Sequence, residues 1–192
     1  MSTLPLGLRN RLAGTILAAL HDSDARHELV TLASEGGARA WVEADEARWA
    51  EPLAERARAA SAALADRPLL PPDADLRQVL QAAASLFDAG LYFEVHEVLE
   101  PHWVAASGET REALQGLIQV AVAWQHLANA NVAGARSLFV EGSARMHGVR
   151  LLGADLEPFA RAAAEAGECV AAGRPITPPR FPSEVPSIKE VS

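Results

Sequence analysis

The chain has 192 residues, 17 Lys+Arg against 25 Asp+Glu, a formal charge of −8 and 49% hydrophobic residues. Alanine alone supplies 40 positions, while Val, Ile and Thr together supply only 23, so the composition favours helix and excludes a β-sandwich or barrel. The acidic balance opposes phosphate backbones and anionic lipid, so neither a nucleic acid nor a membrane is expected as a partner.

Several chemistries drop out with single residue types. Lys189 is the one lysine, which removes a P-loop lysine, a Schiff-base lysine and a Ser-x-x-Lys nucleophile. Cys169 is the one cysteine; it cannot close an intrachain disulfide or build a thiolate zinc site, and it suits a cytoplasmic location. Arg9 and Arg11 before the apolar run 12–20 faintly imitate a secretion signal. The run is short, and His21-Asp-Ser-Asp24 offers no small-x-small cleavage site, so it reads as an amphipathic first helix.

In chain order, helices are expected at about 8–20, 24–34 and 38–66, with Gly36-Gly37 as a break. Residues 1–72 thus form an N-terminal helical extension, closed by the cluster Pro68, Pro71 and Pro72. A five-helix bundle follows over 73–173. Asp73 or Asp75 caps its first helix, which Gly90 ends; the second spans about 91–104, and the third starts at Ser107 and runs to about Asn129. The fourth covers about 134–147, and the fifth, with Asp155 as its cap, ends near Ala172. Five of the 12 prolines lie in the last 18 residues, so 174–192 is expected to be an extended, Pro-rich tail. The fold class is all-α. Small Ala-rich faces also suit a homodimer, without fixing its symmetry.

Chemistry is sought where polar residues sit on apolar helix faces. Four-residue spacing places Tyr92, His96, Glu100 and Trp103 on one stripe of the second bundle helix, with Glu94 and Glu97 pointing to solvent. The third helix is apolar almost all round, yet Gln115, Gln119 and His126 fall within a narrow arc. Because buried polar groups cost unless partnered, the two stripes are expected to face each other. The resulting cluster would hold His96, Glu100, Gln119 and His126 under a lid of Tyr92 and Trp103.

The segment His96-Glu-Val-Leu-Glu100-Pro-His-Trp103 has the pattern H-x-x-x-E-x-x-W. It is preceded by Phe87-Asp-Ala-Gly-Leu-Tyr-Phe93 and followed by Leu114-Gln-Gly-Leu-Ile-Gln119. Over about residues 80–147 the chain resembles the bacterial and archaeal family called domain of unknown function 309. That resemblance implies an all-helical fold and a metal-binding role at His96 and Glu100, and it carries no assigned activity. The stripes add His126 as a third ligand. Two imidazoles and a carboxylate suit a divalent metal, Fe(II) with open positions or Zn(II) with a water, with Tyr92, Trp103, Gln115 and Gln119 orienting ligands or bound water. Pro101 follows Glu100 directly and removes the helical donor to the Glu97 carbonyl, so a kink is expected to displace Glu100 or to aim it.

Two functions remain open on these residues. One is a metal-dependent protein, a hydrolase or oxygenase, using His96, Glu100 and His126. The other is a non-catalytic helical scaffold whose buried polar cluster is structural; the lack of a further acid, base or nucleophile beside the cluster favours it. His96-Glu97 begins like H-E-x-x-H, but Glu100 stands where the second histidine belongs, which excludes a zincin.

Overall fold

The computed structural model describes residues 4–183, and the fold is all-α as the composition dictates. The described residues form nine α-helices. α1 (Leu6–Ala18), α2 (Ser23–Leu32), α3 (Glu35–Trp41) and α4 (Ala50–Leu64) make up the N-terminal part, with a 3-10 turn at Ala44–Trp49. α5 (Leu76–Asp88), α6 (Tyr92–Ala105), α7 (Gly108–Ala128), α8 (Val132–Met146) and α9 (Glu157–Ala171) follow. A two-residue hairpin, β1 (Arg150–Leu151) with β2 (Ala154–Asp155), joins α8 to α9. Its turn residues Leu152 and Gly153 both have positive φ, the backbone that matches hairpin twist.

The five bundle helices start and stop close to where the sequence signals lie. Asp75 accepts from the Gln78 amide at 2.9 Å while the Gln78 side chain accepts from the Asp75 amide at 2.9 Å, a reciprocal cap that opens α5. Gly90 takes φ +73 and turns the chain into α6. Asn131 accepts from the Gly134 amide to open α8, and Asp155 accepts from the Glu157 amide to open α9.

The expected break at Gly36-Gly37 is not one. Both glycines lie inside α3, because Ser34 caps that helix by accepting from the Gly37 amide at 3.0 Å. A Cβ on Gly37 would sit 2.0 Å from the Thr31 carbonyl oxygen, so glycine is there for close approach rather than to end a helix. The continuous helix expected over 38–66 is instead interrupted at Val42-Glu43, both extended, and resumes as the 3-10 turn and α4.

Within 73–173, α5 packs on α6, α6 on α7, α7 on α8 and α8 on α9. The N-terminal helices join this stack through α1 on α6 and α4 on α5, and one continuous apolar core runs from Leu4 to Phe181. α7 and α8 cross closely. A Cβ on Gly116 would lie 2.9 Å from the Gly142 carbonyl oxygen, and one on Gly142 would lie 2.9 Å from that of Gly116. The segment after α9 is extended up to Ser183, yet it is anchored: Phe181 is 5% exposed and packs its ring 5.2 Å from Phe87 and 5.6 Å from Phe159. The remainder of the expected tail, with Lys189, lies outside the described residues.

Candidate metal centre

α6 carries the motif. Leu91, Val95 and Leu99 are fully buried and seat it in the core, which turns the opposite face outward. On that outer face His96, Glu97 and Glu100 come together. Each offers one ligand atom, and these atoms lie within 4.8 Å of one another; it is the one such group of His, Cys, Asp and Glu among the described residues. His96 Nδ1 lies 3.1 Å from Glu97 Oε1. His96 and Glu97 are half-buried, with side chains 30% and 33% exposed, while Glu100 is exposed. The helix explains two sides of the triangle: 96 and 100 are four apart and 97 and 100 three apart, so Glu100 neighbours both on the surface, and the His96–Glu97 contact closes the third. Pro101 leaves the helix unbroken through Ala105, and Glu100 stays beside His96.

The structure does not bring His126 into this group. α6 and α7 are antiparallel: Arg111, early in α7, binds carbonyls at the end of α6, while the Tyr92 and Trp124 rings meet 6.2 Å apart at the other end. His96 lies about nine residues before the end of α6 and His126 about eighteen after the start of α7. At 1.5 Å per residue they are offset by about 13 Å along the axes. His126 is instead used in the turn to α8. Its carbonyl accepts from the Asn131 amide at 2.8 Å, and its Nδ1 accepts from Asn131 Nδ2 at 2.8 Å.

Nor do the two polar stripes meet in a buried cluster. Gln119 faces α8, where it donates to Glu141 Oε2 at 3.0 Å and accepts from Arg145 Nε at 3.1 Å, and Arg145 in turn pairs with Glu112. Gln115 is half-buried on α7. Tyr92 packs edge-on to Phe87 at 5.1 Å; burial, and then the nearby Asp88 carboxylate, hold its phenol above the usual range. Trp103 lies under the Arg111 guanidinium, 4.2 Å from the ring centroid, and its buried indole N–H has no partner among the described residues. Arg111 also donates to the carbonyls of Trp103, Val104 and Ala106, so a cation closes the C-terminal end of α6.

The one buried carboxylate of the motif helix is Glu94, expected in solvent and found fully buried. It accepts from Arg56 of α4 at 2.9 Å, and this cation so far away in sequence is what makes its burial tolerable. A four-residue stripe passes over Glu97, although 97 and 100 are three apart and share the same face. A sequence signal for it did exist.

Fold and site together define an all-helical protein that displays one histidine and two carboxylates on a single helix. Residues 80–138, from within α5 to within α8, match the family described as Domain of unknown function (DUF309), in agreement with the motif resemblance. No curated protein and no solved structure matches the chain. No helix of the described residues is long and apolar enough to cross a membrane.

Proposed function

We propose that the protein binds a divalent metal ion through His96, Glu97 and Glu100. The observation that carries this reading is the convergence of their three ligand atoms within 4.8 Å on the outer face of α6. The donor set fits: ligands about 2 Å from a common ion stand about 3 to 4 Å from one another, which small side-chain rotations reach from the present spacing. One imidazole nitrogen and two carboxylate oxygens can hold Zn(II) or Fe(II), although the set is harder than two imidazoles and a carboxylate. The open outer face leaves coordination positions for water, and the ion would polarise that water or a substrate oxygen. Elemental analysis of protein purified without a histidine tag tests the site. Stoichiometric metal in the wild type, lost in H96A with the fold retained, supports it; metal-free preparations refute it.

A second reading has its own observation. His96 Nδ1 is already close to Glu97 Oε1, and a hydrogen-bonded pair of this kind needs no ion. On that reading the protein is a non-catalytic scaffold, and H96A changes stability alone.

A further inference from the structure

A second site lies on a different part of the molecule. A cleft of about 410 Å³ opens between α5, β2, the start of α9 and the extended segment that follows α9, and none of its lining residues belongs to the α6 group. Arg67 and Arg180 stand in its walls, and Phe159 and Phe181 give it an apolar side. Arg67 is half-buried and Arg180 exposed, and neither pairs with a carboxylate among the described residues. Arg67 Nη1 donates to the Ser85 hydroxyl at 3.0 Å, which holds the half-buried guanidinium in place without neutralising it. Burial, and then the neighbouring Arg26 cation, pull Arg67 below the usual guanidinium range.

The two acids in the cleft wall serve other ends. Asp155 accepts from the Glu157 amide at the start of α9, and Asp88 is exposed at the end of α5 beside Tyr92. The volume suits a small molecule, and a polar lining with two phenylalanines at one side offers charged groups to orient it. A guanidinium matches the planar, two-oxygen geometry of a carboxylate.

We infer that this cleft binds a small organic carboxylate, its oxyanion held by Arg67 and Arg180 and its apolar body against Phe159 and Phe181.

The test is an NMR titration of the full chain with phenylacetate, with inorganic phosphate as a second probe at matched ionic strength. Saturable amide shifts confined to residues lining the cleft are expected, with affinity falling about tenfold or more in R67Q and in R180Q. R67K, which keeps the charge but not the fork, should fall between. Circular dichroism verifies that each variant is folded. Absence of saturable shifts with phenylacetate, or equal affinity in wild type and both glutamine variants, overturns the inference. Phosphate binding in place of phenylacetate overturns the apolar half of it. Because Glu184 follows directly in the sequence, E184Q is titrated alongside. Phenylacetate binding unchanged in E184Q supports an external ligand, whereas binding that appears only in E184Q assigns the arginines to the chain's own carboxylate and overturns the proposal.

Discussion

Arg56 and Glu94 form an ion pair 2.9 Å long between α4 and α6, with side chains only 12% and 0% exposed. It ties the N-terminal helices to the helix that carries the histidine motif. One arm is unmatched: Glu94 Oε1 and Arg56 Nε are buried with no partner among the described residues. Removing one member therefore strands a buried charge. Glu94→Gln should lower the unfolding free energy by about 3 kcal/mol, while the double change R56M/E94L should cost clearly less. Urea denaturation of the three proteins checks this; equal losses in single and double variants would show that the pair contributes nothing specific.

The crossing of α7 and α8 rests on two glycines. A methyl group on Gly142 would meet the Gly116 carbonyl oxygen at 2.9 Å and Val120 Cγ2 at 3.0 Å. Backbone cannot yield as a flexible side chain can, so Gly142→Ala should cost about 1 to 3 kcal/mol despite the higher helix propensity of alanine. A thermal melt at or above the wild-type midpoint would show that the helices separate without cost.

Phe181 closes the core from the extended segment after α9. Truncation to alanine removes a buried ring packed against Phe87 and Phe159, and should destabilise the protein by about 3 kcal/mol. Unchanged stability, read by calorimetry, would mean that this segment does not dock in solution.

Glu157 sets a pH dependence of stability. Hydrogen bonds from Arg161, from the Gly148 amide and from His147 hold its carboxyl at about 2, below the ordinary 4.5. A depressed folded value means that the ionised form is favoured by folding. Its contribution is present above pH 4.5 and is lost as the pH falls toward 2. Melting temperatures should drop across that window in the wild type and drop less in E157Q. Parallel curves would remove Glu157 from the account.

The sequence makes most of the bundle legible and much less of the site. Asp75 and Asp155 at helix starts, and Gly90 as a stop, mark helix ends by local chemistry, which needs no knowledge of the fold. Gly37 misleads for the opposite reason. Its role is set by the Thr31 carbonyl packed against it, and glycine as a spacer looks the same in sequence as glycine as a breaker. The resemblance and the i, i+4 rule place His96 and Glu100 together. His126 is lost because shared helix faces say nothing of level along the axis, and two helices of 14 and 21 residues joined by a short loop cannot bring those positions to one height. Glu94 reads as solvated in the sequence because its partner, Arg56, sits in a helix whose docking no local pattern encodes.

Titration of metal-stripped protein with Zn(II), followed by calorimetry, tests the metal centre most directly when wild type, E97Q and H126A are compared. The account predicts one site per chain in the wild type, the same site in H126A, and affinity weakened about tenfold or more in E97Q. Loss of binding in H126A with E97Q unaffected, or no saturable uptake by the wild type, would contradict it.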